Sequence, residues 1–387
     1  MVNYGLIVMT LTHSLTHVFG NLYTSSFPIL RGEFNLTIYQ LGLFAAIPPL
    51  FQALFSIPAG ILTDKVGSRR MLLVSLFLAV GGSLLAASTF NAIMLIVAAS
   101  LVYMNTTIYH PASYSFTTRL FRRSDRPKAL GIHGAGGTFG VALGPLTLSL
   151  FLALNLTWRH VYLFWAFPIA LGALLVLRVR EPEAENGNSA ENALEIEPGE
   201  ATTLFTRSLL MFLVYTGIRT IAGQMVSTFM PLYIVDERGF SMELMGLLVG
   251  SLSLTGLLAA PIGGYLAARF GSKRWLMTSI ALSLFTLGLI PIVPGSAFFA
   301  VLYIVYGFTG TLGMAPRSDL IANLTPRGQR GFGYALLFLP GSIMGAISPL
   351  IAAKLIDLFG MTRLFPISIA ISIVALVVLG LGVKIKS

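Results

Sequence analysis

Four histidines, two arginines and almost no acid fall where this chain is most apolar. His13, His17 and Asn21 recur every four residues, which puts all three on one face of a helix. His110 stands inside Tyr109-His110-Pro111, His133 opens a glycine-rich run, and Arg219 and Arg317 lie deep in two later apolar stretches. Imidazole gains and loses a proton near neutrality, with an ordinary pKa of about 6.5. Guanidinium stays charged and presents a planar fork of donors that suits a carboxylate, phosphonate or phosphate. Proton exchange and anion recognition are therefore the chemistry these residues offer. Charged groups at bilayer depth face a cavity or a partner, and with no Asp or Glu in the central portions of the apolar stretches the polar interior leans positive.

Other chemistry is excluded or disfavoured. No nucleophile, base and orienting acid converge in the apolar stretches, and no G-x-x-x-x-G-K-[ST] loop is present, so the chain is not expected to be an enzyme or to use nucleotide. With no cysteine there are no disulfides and no thiolate metal sites. His13-x-x-x-His17 places two imidazoles on one face, with His110 as a further ligand, which makes a transition-metal exporter the alternative. Missing carboxylates, together with Arg219 repelling a dication, weigh against it, and neither a resident metal nor a cofactor is expected.

The elements that must position these residues are membrane helices. Apolar residues make up 55% of the chain and charged ones 10%, with a mean hydropathy of +0.82. Stretches long enough to cross a bilayer fall near residues 5–30, 38–62, 71–90, 92–118, 129–154 and 160–178. Six more follow near 209–235, 241–266, 274–293, 297–321, 331–356 and 363–383. The first carries His13, His17 and Asn21 with no basic residue before it, and is read as a retained helix rather than a cleaved signal. Lys and Arg concentrate on alternate connections, 18 of 25 against the five of Arg31, Arg159, Arg238, Lys354 and Arg363. By the positive-inside rule both termini are cytoplasmic in a multi-pass cell-membrane protein. The net charge of +10 thus fits anionic lipid headgroups, and no nucleic acid is expected as a partner.

The chain also repeats itself. Gly60-Ile61-Leu62-Thr63-Asp64-Lys65-Val66-Gly67-Ser68-Arg69-Arg70 returns about 204 residues later as Gly264-Tyr265-Leu266-Ala267-Ala268-Arg269-Phe270-Gly271-Ser272-Lys273-Arg274. Pro28 matches Pro231, Pro111 matches Pro316 and Pro145 matches Pro349 at nearly the same offset. The expected organisation is an all-α integral membrane protein of twelve transmembrane helices in two pseudo-symmetric six-helix bundles, residues 1–180 and 204–387. An acidic cytoplasmic linker joins them at 181–203, holding seven of the fifteen acids.

The Gly60 to Arg70 run and its weaker copy resemble the loop signature of the major facilitator superfamily, and the resemblance spans the chain. Further motifs resemble the superfamily's fosmidomycin-resistance-type branch. His17-Val18-Phe19-Gly20-Asn21-Leu22-Tyr23 is similar to its helix 1, with Asn21 where an aspartate is common. Tyr109-His110-Pro111 is similar to its helix 4, Gly136 to Pro145 to its helix 5, and Arg219 with Phe229-Met230-Pro231-Leu232-Tyr233 to its helix 7. The resemblance implies a secondary transporter whose two bundles rock about a central site, an antiporter working in efflux, and by family habit a monomer.

On that plan Arg219 lies about 15 Å and His17 about 18 Å into their helices, near the midplane where transporters bind substrate. The expected substrate contacts are Arg219, His17, His13, Asn21, Gln224, His110, Tyr109 and Tyr23, with His17 and His110 carrying protons because Asn21 does not titrate. Gating falls to Asp64, Arg69, Arg70, Arg317, Asp319, His133, Pro111 and Pro316. Asp64 would latch to a helix N-terminus, Arg317 and Asp319 would form an ion pair or gate, and the two prolines would bend their helices. Gly134, Gly136, Gly137 and Gly140, with Gly341 and Gly345 in the other half, would allow close helix contact. The substrate is expected to be a small organic anion or amphiphilic drug-like compound, exported in exchange for protons. A lipid or lysolipid fits the same positive cavity and its aromatic walls.

Overall fold

A computed structural model of the chain describes residues 4–122, 125–180, 206–325 and 330–384; the expected linker at 181–203 lies outside them. The elements are α1 (Tyr4–His17), α2 (Phe19–Ser25), α3 (Phe27–Phe34), α4 (Ile38–Val66), α5 (Ser68–Ala87), α6 (Ala92–Arg119), α7 (Arg126–Ala153) and α8 (Trp158–Arg178). There follow α9 (Arg207–Leu232), α10 (Met242–Phe270), α11 (Ser272–Leu289), α12 (Ser296–Thr311), α13 (Met314–Leu324), α14 (Arg330–Phe359) and α15 (Leu364–Val377). Among the described residues ten helices are long and apolar enough to cross a membrane. The first span, split into α1, α2 and α3, and the 18-residue α11 bring the helices to the expected twelve.

Two compact units form, Met1–Glu183 with Thr228–Leu254, and Ala184–Ser227 with Thr255–Ser387. The outer end of α9 and the first half of α10 thus group with the first six spans. Polar and close contacts hold them there. Arg31 pairs bidentately with Asp236 at 2.6 and 3.0 Å, Asn21 donates to Ser253 Oγ at 3.1 Å, and a Cβ at Gly246 would stand 2.8 Å from the Pro145 carbonyl.

The repeated loop works as a joint in both units. Gly67 and Gly271 have φ of 94° and 87°, a conformation closed to most side chains, and this lets α5 and α11 start one residue after α4 and α10 end. Its bases cap helices. Arg69 donates to the Leu177 carbonyl in the last turn of α8, and the equivalent Lys273 donates to the carbonyls of Gly380 and Val383 at 2.8 and 2.7 Å, beyond the end of α15. A cation at a helix C-terminus satisfies orphan carbonyls and complements the helix dipole. These two bases therefore tie the third span of each half to its sixth. Asp64 and Arg70 are exposed at the same corner.

Helix starts also repeat. Thr37 and Gln40 form a reciprocal capping box on α4, and Ser241 Oγ accepts from the Leu244 amide at the start of α10. The prolines act unequally. α6 runs unbroken through Pro111, whereas the tenth span breaks at Leu312-Gly313, so that Pro316 opens α13 instead of bending a continuous helix. Pro316 removes the donor that the Leu312 carbonyl would receive, and the interruption falls there. The two prolines thus differ in that one lies inside a continuous helix and the other at an interruption.

The glycine run of α7 packs against α1 and the start of α2 as expected, except at Gly134, which faces open space. A Cβ on Gly140 would lie 2.1 Å from the Ser14 carbonyl, and one on Gly144 would lie 2.0 Å from the Val18 carbonyl. Gly341 and Gly345 meet nothing within 4 Å, so the expected equivalent contact on α14 is not made there.

Candidate functional site

In the first unit α1, α6 and α7 bring four imidazoles together. The His13 and His17 rings stand 4.8 Å apart on α1, and His110 on α6 is 5.4 Å from the first and 5.1 Å from the second. His133 on α7 stacks on His13 at 4.1 Å. Three Nε2 atoms converge, with His17 to His110 at 3.1 Å and His13 to His110 at 3.4 Å.

The outer nitrogens of two rings are committed. His13 Nδ1 lies 2.7 Å from the His133 carbonyl and His110 Nδ1 lies 2.8 Å from the Thr106 carbonyl. A carbonyl can only accept, so both Nδ1 atoms carry hydrogen, and in the neutral rings both Nε2 atoms present lone pairs to the centre. His13 is held between a stacked ring and that carbonyl and is buried, whereas His17 and His110 are half-buried.

Tyr109 roots this arrangement rather than lining it. It is fully buried, with its hydroxyl 2.9 Å from the Met9 carbonyl and 2.7 Å from Thr12 Oγ1, and so binds α6 to α1 one residue before His110. Tyr23, also placed among the substrate contacts from sequence, is buried with its hydroxyl given to the Phe44 carbonyl at 3.1 Å. Asn21 lies one turn beyond His17 and is bonded to Ser253. His133, expected at a gate, is wholly buried with Nε2 3.3 Å from Ser113 Oγ, and its carbonyl orients His13. Sequence reasoning missed Thr12, Ser113 and the two orienting carbonyls. Hydroxyls at helical spacing are common, and a backbone group leaves no mark in the residue types.

The second unit holds the arginines. Arg219 and Arg317 act on each other electrostatically, and each lies close enough to Tyr215 to do the same; Tyr306 adds a further hydroxyl near Arg219. The Nε of Arg317 is buried without a hydrogen-bond partner. Arg219 reaches forward along its own helix, with Nη1 3.3 Å from where a Cβ on Gly223 would stand. Asp319 does not partner Arg317. Two residues apart on one helix they do not face each other, and Asp319 accepts instead from Ser272 Oγ and Asn323 Nδ2. Gln224 is exposed and accepts from Ser227.

Twelve membrane helices built from a repeat, with polar groups held at mid-helix, are the architecture of a membrane transporter. The Major Facilitator Superfamily model matches residues 9–246 and 212–385, and the chain belongs to that family. A fosmidomycin resistance protein of Escherichia coli (strain K12) is 25% identical over 290 residues, 72% of this chain and 68% of that protein. A probable nitrate/nitrite antiporter of Thermus thermophilus is 24% identical over 277 residues, 69% and 61% of the two chains. A bacterial homolog to the human lysosomal transporter Spinster, in an inward-facing and occupied conformation, shares the fold at a TM-score of 0.81 and 16% identity, over 98% of this chain and 96% of that one. The chain is thus a secondary transporter with a small-molecule substrate.

Proposed function

We propose that this transporter exports a small organic anion or amphiphilic compound across the cell membrane, by alternating access and in exchange for protons. The observation that carries the anion preference is the buried, unbonded Nε of Arg317, on which the like charge of Arg219 also acts. Two guanidinium groups repel each other, and a buried donor without an acceptor costs about 1–3 kcal/mol. An oxyanion relieves both costs at once, whereas a cation relieves neither. Export is supported by the names of relatives, a fosmidomycin resistance protein and an efflux pump, and exchange by the nitrate/nitrite antiporter. The exchanged proton belongs in the histidine cluster, where the 3.1 Å contact between His17 and His110 needs one hydrogen between two nitrogens. Both termini are cytoplasmic and the working unit is one chain.

The test is a panel of organic anions, cations and neutral amphiphiles, read by thermal shift on the wild type and on Arg219→Ala. Anions should stabilise the wild type and not the variant. Equal stabilisation of both proteins by the same anions would remove the arginines from the site.

A further inference from the structure

The three converging Nε2 atoms have a geometry that a hydrogen-bonded cluster does not require. Zinc–imidazole bonds of about 2.0–2.1 Å in a tetrahedral site put neighbouring ligand nitrogens about 3.3 Å apart. The two measured edges, 3.1 and 3.4 Å, bracket that value. All three ligand nitrogens of His13, His17 and His110 lie within 4.8 Å of one another. The remaining edge, from His13 to His17, has to close toward the same value when a metal binds.

The surroundings are those of a metal site too. Ligating histidines usually donate the second ring N–H to a carbonyl or carboxylate, which fixes the tautomer and aims the other nitrogen at the metal. His13 does this to the His133 carbonyl and His110 to the Thr106 carbonyl. In the neutral, metal-free cluster two Nε2 lone pairs then face each other at 3.4 Å, an arrangement that a central cation turns from repulsive to binding. The His13-x-x-x-His17 spacing supplies two ligands from one helix face, and α6 supplies the third. No carboxylate belongs to the group, so hard oxygen-seeking cations such as calcium and magnesium are disfavoured.

We propose that His13, His17 and His110 bind one four-coordinate transition-metal dication of the zinc class through their Nε2 atoms, with the fourth position open to water or a small ligand. The site lies within the first unit and does not depend on what the arginines of the second unit carry; it uses the His17 and His110 nitrogens that hold the proton in the metal-free cluster, so metal and proton compete there.

Cobalt(II) is the probe, because three nitrogens and a water give it an intense tetrahedral absorption band. The full chain, purified without a histidine tag and stripped with chelator, is titrated with cobalt(II) and then with zinc(II). One cobalt per chain should bind with that band, and zinc should displace it. His110→Ala should weaken binding on the order of 100-fold, since a tetrahedral site cannot be built from two fixed ligands. His17→Gln, at a half-buried position, serves as a second variant if His110→Ala does not fold, and it should lose the tetrahedral band. Arg219→Ala should bind cobalt as the wild type does while losing its response to organic anions. A six-coordinate cobalt spectrum, or zinc binding that persists unchanged in His17→Gln, would overturn the site and leave the anion proposal standing.

Discussion

The histidine cluster of the first unit and the arginine pair of the second are built on opposite principles. Around His13 most hydrogen bonds are already made, the buried Nδ1 of His133 being left without a partner. His133 and Thr106 orient the rings, Tyr109 ties their helices, and the glycines of α7 bring backbone to backbone. Around Arg317 a buried donor is left over, and the neighbouring charge is of the same sign. A region whose rings are oriented from outside by backbone carbonyls holds its shape and accepts only something small at its centre. A region with unspent donors takes its bonds from a ligand. The first is a fixture and the second is a socket.

The strongest way to break this contrast is at the packing. Gly144→Val places branched carbons where the Val18 carbonyl now sits, and should destabilise the protein by about 3 kcal/mol or more. Gly345→Val, facing open space on α14, should stay within about 0.5 kcal/mol of wild type. Thermal midpoints of the two purified variants decide this, and equal midpoints would mean that the α1–α7 joint is no tighter than its counterpart.

A subtler cut separates stability from binding. His13→Ala strips the donor from the buried His133 carbonyl and should cost about 1–3 kcal/mol of stability. Arg317→Gln should leave the melting point nearly unchanged while weakening organic-anion affinity about tenfold, the equivalent of one lost charge-assisted hydrogen bond of about 1.4 kcal/mol. The reverse outcome, with Arg317 needed for folding and His13 dispensable, would exchange the two roles.

The smallest effect is expected at the rim of the first unit. Glu33 is paired with Arg159 at 2.5 Å and accepts from Trp158 Nε1 at 2.7 Å. Partial burial alone would raise its pKa, but the Arg159 and Trp158 hydrogen bonds and the Arg159 charge hold it below the ordinary carboxylate value. A carboxylate with a depressed folded pKa contributes stability above its unfolded value of about 4.3, and loses it as pH falls through the folded value. The wild-type melting midpoint should therefore drop more steeply below about pH 4 than that of Glu33→Gln. Parallel curves would show that the pair adds nothing.

Most of the architecture was legible in the residues. Hydropathy located the spans, and the repeat located the Gly67 and Gly271 joints before their backbone angles were known. The placing of His13 and His17 together was readable because four-residue spacing fixes a helix face, whereas their meeting with His110 depends on how α6 packs on α1. What Tyr109 does was not, since a tyrosine beside a histidine reads the same whether it roots a helix or lines a cavity. Nor could the sequence separate Pro111 from Pro316. The two share a repeat position, and only the unbroken α6 and the gap between α12 and α13 show that one is absorbed and the other is not. Asp319 was misleading for a simpler reason, because proximity along the chain is not proximity around a helix.

The first span reaches across the molecule in three pieces, α1, α2 and α3, with interruptions at Val18 and Ser26. A helix resists flexing through its ladder of hydrogen bonds, which persists at Ser26, where Ser26 donates to the Leu22 carbonyl at 3.0 Å and accepts from the Leu30 amide at 2.9 Å, so the notch in the rod is the one at Val18. The notch at Val18 follows directly on His17. The rings next to it are anchored from neighbouring helices, His13 by the His133 carbonyl of α7 and α6 by the Tyr109 hydroxyl on Met9, so their placement does not depend on the rod being continuous.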